Sequence, residues 1–244
     1  MKKEIAVIGY GRFGRCATHH LKKRFRVIVS DSHKITRVEK GITKVSIEEA
    51  AKASIILLAV PINQITPLLK KIAPKLRPNA LICDVCSVKT QPIQWMKRHL
   101  PQNVFILGTH PLFGPDSASE SIQGRTIVLC PVKIPSAKLR HIHEQLMSMG
   151  LNVSFMTPQQ HDRLMATTLF LTQLVGRGLL QMKLPRTSTS TQNFQLLQQL
   201  VQTVKNDTKE LFRDMYRYNR YAYSIPKKLA DVFQKTHHSL RRTR

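Results

Sequence analysis

The sequence predicts an α/β protein: a doubly wound parallel sheet over residues 1–156, then a smaller all-helical domain over 157–226 and a basic tail over 227–244. Three observations carry this reading. Short apolar runs alternate with helical stretches through the first 155 residues, the pattern of βαβ units. Several of those runs are apolar throughout rather than alternating, as expected for strands covered on both faces. Beyond residue 157 the strand-like runs stop, and apolar residues recur at steps of three, four and seven, which mark one face of a helix.

The strands are EIAVIG (4–9), RVIVSD (26–31), SIILLAV (54–60), ALICDV (80–85), NVFILG (103–108), TIVLCP (126–131) and NVSFM (152–156). Helical stretches such as GRCATHHLKKRF, INQITPLLKKIAP and AKLRHIHEQLMSMG separate several of them. In the second region, Gln159 to Leu184 reads as helix, with Leu164, Met165, Leu169, Phe170, Leu174, Val175 and Leu179 on a broad apolar share. A further helix over 193–217 carries the seam Leu197, Leu200, Val201, Val204, Leu211, Phe212 and Met215, with Asn193 as its N-cap. The connector LPRTSTST lies before it. Two or three helices cannot bury so much apolar surface alone, so they are expected to pack on the first domain or on a second copy of the chain.

The chain has 244 residues, and 39 Lys and Arg against 14 Asp and Glu give a net charge of +25. Basic surfaces attract phosphate backbones, but here the cations are spread in pairs and only the tail concentrates them. No stacking platform or zinc-finger spacing accompanies them. The charge is read as a solvated surface that draws in anionic ligands, not as a nucleic-acid interface. No apolar run reaches the roughly 18–20 residues of a membrane span. The N-terminal stretch MKKEIAVIGYG is broken by glycines and lacks a cleavage site, so a cytoplasmic protein is expected. Cys83 and Cys86 form a CxxC inside ALICDVCSV. No second CxxC completes a zinc site, and positions three apart in a strand face opposite ways, so no metal is expected and the four cysteines read as reduced.

VIGYGRFGR places Gly9, Gly11 and Gly14 in G-x-G-x-x-G spacing, after a strand and opening a helix. This is the fingerprint of a Rossmann-type dinucleotide site: a tight turn, close backbone approach to the pyrophosphate, and close helix–strand packing. The next strand ends in Asp31, where a carboxylate hydrogen-bonds the ribose hydroxyls. Asp31 would repel a 2′-phosphate, which favours NAD, while Ser32, His33 and Lys34 leave NADP open. Arg12 and Phe13, within the turn, and Val60 and Pro61, at the end of the strand over 54–60, complete the cofactor candidates.

Ligands of open α/β sheets collect at the carboxyl ends of strands. In GTHPLFGPDS (108–117), His110 is expected where a strand stops and a shaped loop begins. A neutral imidazole beside a nicotinamide suits removal of a hydroxyl proton as hydride leaves the same carbon. Ser87 would hydrogen-bond the imidazole or the hydroxyl. Lys89 would face a substrate carboxylate or be a surface lysine at a helix start. His19, His20, His141 and His143 read as solvated helix residues.

DVCSVK, GTHPLFGPDS, the HDR of 161–163, LTQLVGRGL (171–179) and NDTKELFRDMYRYN (206–219) together resemble the prephenate/arogenate dehydrogenase family. The later motifs are similar to its compact arogenate-using branch, as in plants. The resemblance runs from the first strand to about residue 223. It implies an NAD(P)-linked oxidative decarboxylation on the route to tyrosine, with a helical domain that makes a homodimer. It also implies His110 as catalytic histidine, Ser87 as its hydrogen-bonding serine, and a His-Asp pair at His161 and Asp162. Twelve residues after His161 the family carries a second substrate-facing histidine, where this chain has Gln173, which hydrogen-bonds but cannot become a cation. The arginine gripping the ring carboxylate falls among Arg177, Arg186, Arg213, Arg217 and Arg220, with Arg177 and Arg186 ahead. The motifs fill the chain, leaving no stretch for a fused chorismate-mutase or regulatory segment. Two other readings are a related β-hydroxyacid or imine reductase, and a non-catalytic nucleotide-binding or nucleic-acid-binding protein.

Overall fold

The computed structural model describes residues 2–185, 187 and 189–242. The chain divides into two compact units, Met1–His161 and Asp162–Arg244, so the division falls five residues beyond the expected 156.

The first unit is an eight-stranded sheet in the order β3-β2-β1-β4-β5-β6-β7-β8. The strands are β1 (Glu4–Ile8), β2 (Arg26–Ser30), β3 (Ile42–Lys44), β4 (Ile55–Leu58), β5 (Leu81–Asp84), β6 (Phe105–Pro111), β7 (Thr126–Lys133) and β8 (Asn152–Phe155). The intervening helices are α1 (Arg12–Leu21), α2 (Ile47–Ala50), α3 (Ile65–Ile72), α4 (Thr90–His99) and α5 (Ser136–Ser148). Every neighbouring pair is parallel except β6 and β7, which run antiparallel. The sequence pattern predicts neither this reversal nor β3, whose three residues ITK are too short to show a period.

β6 extends to Pro111, three residues past the expected end at Gly108, so His110 is a strand residue paired with Val128 and not the start of a loop. Proline is tolerated here for a physical reason. Leu112 N–H donates to Thr126 O at 2.9 Å, which makes that pair and His110–Val128 the hydrogen-bonded ones. Antiparallel ladders alternate, so Pro111–Ile127 is a non-hydrogen-bonded pair and the missing amide costs no ladder bond.

α6 (Pro158–Met165) opens on a capping box: Gln160 N–H donates to Thr157 Oγ1 at 3.2 Å, and Thr157 N–H donates to Gln160 Oε1 at 2.9 Å. Pro158 sits in the first turn, where no amide is needed.

In the second unit a π-helical turn over Ala166–Phe170 leads into α7 (Leu171–Gln181), followed by α8 (Gln192–Asn206), α9 (Lys209–Arg217) and α10 (Ile225–Arg241). The expected single helix over 193–217 is thus two, broken at Asp207–Thr208 because Thr208 caps a new start by accepting from Leu211 N–H at 3.1 Å. The N-cap of α8 is Thr191, accepting from Phe194 N–H, in place of Asn193. Ala166, Phe170, Met215 and Ala222 form the core, with Phe170 stacked on Phe212 at 5.4 Å between ring centroids. The basic tail is helical to Arg241. Among the described residues, no helix is long and apolar enough to cross a membrane.

Candidate active site

The glycine turn is built by backbone demands at two positions and by none at the third. Gly9 has φ +104°, and a Cβ there would fall 2.2 Å from Ala59 O. A Cβ on Gly14 would fall 2.0 Å from Gly9 O. Around Gly11 nothing lies within 4 Å of a Cβ position, yet it is the N-cap of α1, without any side-chain cap or acidic residue in the first turn. Folding therefore explains Gly9 and Gly14, whereas the open space at Gly11 fits a phosphate brought against the unpaired amides of a helix start. Val60 borders this turn, 3.1 Å from the Cβ position of Gly9, and Pro61 follows it at the surface.

Asp31 joins two backbone segments: its Oδ2 accepts from Tyr10 N–H at 2.5 Å and its Oδ1 from His33 N–H at 2.8 Å. Burial raises its pKa, but these amides and the His33 ring outweigh that and hold it below the usual value. The carboxylate stays ionised and ties β2's end to the glycine turn. Arg12 lies at the turn but its guanidinium pairs with Asp116 at 2.6 Å, both about half exposed. Phe13 faces a cavity over the sheet, away from the expected cofactor contact.

The ends of β5 and β6 are joined by a buried polar cluster. Lys89, fully buried, donates to Asp84 Oδ2 and, at 2.6 Å, to Thr109 O. Cys86 N–H donates to the same carboxylate oxygen at 3.1 Å, and Thr109 Oγ1–H donates to Asp84 O at 2.5 Å. Lys89 is therefore neither a surface lysine nor aimed at a substrate carboxylate; its ammonium pins the 85–89 loop to the residue beside His110. Asp84 was the missed member, and only the lysine five positions later signals it. Ser87 in that loop is buried, and its hydroxyl makes no hydrogen bond, including none to His110. An unpaired buried hydroxyl costs about 1–3 kcal/mol.

His110 Nδ1 lies 2.8 Å from His161 Nε2, and the rings meet edge to face at 5.0 Å. Both are buried. One proton serves that contact, so each imidazole fixes the other's tautomer. Burial, with the nearby His161 and Lys89, pushes the His110 pKa well below the ordinary imidazole value. His110 is thus neutral at neutral pH, and its Nε2 has no hydrogen-bond partner in the protein. His20, expected to be solvated, is buried instead and donates through Nε2 to Ala118 O, 2.8 Å away.

Among the remaining candidates, Gln173 and Arg177 form a second cluster within the helical unit. Gln173 is buried and donates through Nε2 to Asp207 Oδ2 at 2.6 Å, leaving its Oε1 unpaired. Arg177 donates to the carbonyls of Asp207 and Thr208 at 3.1 Å and lies over the Phe212 ring. These side chains close the α8–α9 break. Asp162 O accepts from Asn219 Nδ2 at 2.7 Å. Arg213, Arg217 and Arg220 are exposed, and Arg186 lies outside the described residues. Cys83 and Cys86 are buried, none of the four cysteines forms a disulfide, and no His, Cys, Asp or Glu cluster suited to a metal occurs among the described residues.

The chain is similar to several known proteins. A relative from Methanocaldococcus jannaschii, named "Probable arogenate/prephenate dehydrogenase", is 33% identical over 171 residues, 66% of this chain and 38% of its own length. Arogenate dehydrogenase 1, chloroplastic, from Arabidopsis thaliana is 27% identical over 244 residues, 94% of this chain and 38% of its own length. The chain thus spans well under half the length of these two relatives. In fold it is similar to the prephenate dehydrogenase of A. aeolicus solved with hydroxyphenyl propionate and NAD+, at TM-score 0.76 and 18% identity, covering 99% of this chain and 90% of that one. Residues 178–244 match a family described as "TYRAAT1-like, C-terminal domain". Residues 18–154, more than half of the chain, match the family described as "Prephenate dehydrogenase, nucleotide-binding domain", and to that prephenate dehydrogenase family the chain belongs.

Proposed function

We propose that the chain catalyses the NAD(P)-dependent oxidative decarboxylation of prephenate or arogenate. The observation that carries this is the neutral, buried His110 with one ring nitrogen held by His161 and the other open, on the strand-end edge that also bears the glycine turn. Gly9, Gly11 and Gly14 with the α1 amides would hold the diphosphate, and Asp31 the adenosine ribose; its carboxylate favours NAD over NADP. A bound nicotinamide supplies the hydride acceptor. His110 Nε2 removes the proton of the ring 4-hydroxyl as hydride leaves the same carbon. The bond to the ring carboxylate then breaks, its electrons complete the aromatic ring, and carbon dioxide departs. His161 acts as a positioning residue, keeping the His110 tautomer with its acceptor nitrogen outward. The unpaired Ser87 hydroxyl would hydrogen-bond the substrate or the imidazole.

We further read the chain as a cytoplasmic homodimer built on its helical unit, where Met182, Leu196, Leu197, Val232 and Phe233 are exposed apolar side chains. The test is NADH formation by the purified protein, offered prephenate and arogenate separately with NAD or NADP. Turnover of either substrate is expected, faster with NAD. Binding of NAD without turnover of either substrate would overturn the reading.

A further inference from the structure

One face of the sheet is incompletely covered. On β4, Ile56 and Leu58 are fully buried, but Ile55 and Leu57, on the opposite face, are only partly so. That face lies under α1 and α5, and α5 buries none of its thirteen residues, although Leu139, Ile142 and Leu146 pack toward the sheet core. Strands buried in a doubly wound sheet are normally covered on both faces. Here the gap is a cavity of about 450 Å³, within the size range of small-molecule sites.

Its floor crosses five adjacent strands, through Ile5, Leu57, Leu81, Leu107 and Leu129. Four strand spacings make that floor roughly 19 Å long, so the cavity is a slot and not a round bowl. The odd-numbered residues of β6, Leu107, Thr109 and Pro111, line it, whereas His110 projects from the other face. It is therefore separate from the proposed catalytic histidine.

The charged lining residues are Lys2, Lys3, Arg24 and Lys138, with no Asp or Glu among the described ones. Lys2 and Arg24 are occupied: Lys2 donates to the carbonyls of Lys22 and Lys23, and Arg24 to Ser148. Lys3 and Lys138 face no carboxylate. Lys3 Nζ lies 3.5 Å from His141 Nε2, and Lys138 Nζ sits 4.3 Å from the Phe105 ring centroid while donating to Asn79 O. Burial and the charge of Lys3 both lower the Lys138 pKa, the response of a cation lacking an anion.

We propose that this slot binds a linear acyl carboxylate, its chain along the sheet floor beneath α5 and its carboxylate at Lys3 and Lys138. The apolar walls offer little to hydrogen-bond a sugar or nucleotide, the length suits an extended chain, and the rim supplies the opposite charge.

The test is titration calorimetry of the full chain with dodecanoate, dodecanol and dodecylamine. Saturable binding of dodecanoate is expected, at least tenfold tighter than dodecylamine. Joint Lys3→Ala and Lys138→Ala substitution should weaken dodecanoate about tenfold and leave dodecanol unchanged. Leu146→Trp, which fills the slot, should abolish binding of dodecanoate and dodecanol while NAD affinity, read in parallel, stays intact and reports folding. Equal binding of amine and carboxylate, no saturable binding, or binding unaffected by Leu146→Trp would each overturn the proposal. So would a change in oligomeric mass caused by Leu146→Trp, which would assign the slot to a second copy. None of these readouts depends on turnover, so failure here leaves the catalytic reading standing.

Discussion

Two buried polar pairs lie on neighbouring strand ends, and they solve the cost of burial in opposite ways. Asp84 and Lys89 form a buried ion pair through Asp84 Oδ2, which also accepts from the Cys86 amide, while Lys89 donates further to the Thr109 carbonyl. His110 and His161 share one hydrogen bond, and His110 sheds its charge. The first arrangement has few degrees of freedom left and serves as a brace. The second leaves a nitrogen with proton affinity and no partner, which is what general-base chemistry needs.

The largest effect that would sharpen this contrast is on rate. His110→Ala is expected to lower kcat by about 10²–10⁴-fold with NAD affinity unchanged, measured by steady-state kinetics and cofactor titration. Equal loss of both would make His110 as structural as Lys89. Next comes stability. Lys89→Met leaves a buried carboxylate uncompensated and is expected to cost about 3–5 kcal/mol in urea denaturation. The double change Asp84→Leu with Lys89→Met should restore most of that, since apolar replacement of a buried pair is often neutral or better. If the double variant is as unstable as the single one, the pair is more than a brace.

The glycine turn divides in the same manner, between what folding needs and what a ligand needs. Gly9→Ala is expected to destabilise the chain by more than 1 kcal/mol, because the residue would be strained at positive φ and would meet Ala59 O. Gly11→Ala should leave the denaturation midpoint in place while weakening NAD at least tenfold. The smallest effect is in pH. An ordinary imidazole near pKa 6.5 would give a rate rising through that value. With the folded pKa of His110 depressed, the rate should stay flat through 6.5 and fall only at lower pH. Stability follows the same sign: it is full above about 6.5 and is lost as pH falls toward the depressed folded pKa, because the unfolded chain binds the extra proton first. A rate inflecting at 6.5 would place His110 in water.

Much of this was legible in the sequence. Seven strands, the glycine turn, Asp31, His110 and Ser87 all announce themselves through apolar runs, spacing and breakers. The capping box T-P-Q-Q before His161 was there to be read as well. What escaped depends on partners distant in the chain. Nothing near Lys89 shows that Thr109, twenty residues on, completes its shell, and nothing near Gln173 shows that Asp207 takes its amide. The split of α8 from α9 hid behind an unbroken apolar seam, because Asp207–Thr208 falls between seam positions. The reversal at β6–β7 was invisible for a different reason: buried antiparallel and parallel strands have the same composition.

Pro111 acts as a key to the alignment of that reversed pair. Sliding β6 by one residue would bring the proline to a position where an amide is required, breaking a rung, and such a slip inverts which face each of its side chains takes. The one residue type that cannot complete the rung thus forbids the neighbouring alignment, and with it any arrangement that would turn the imidazole toward the acyl slot.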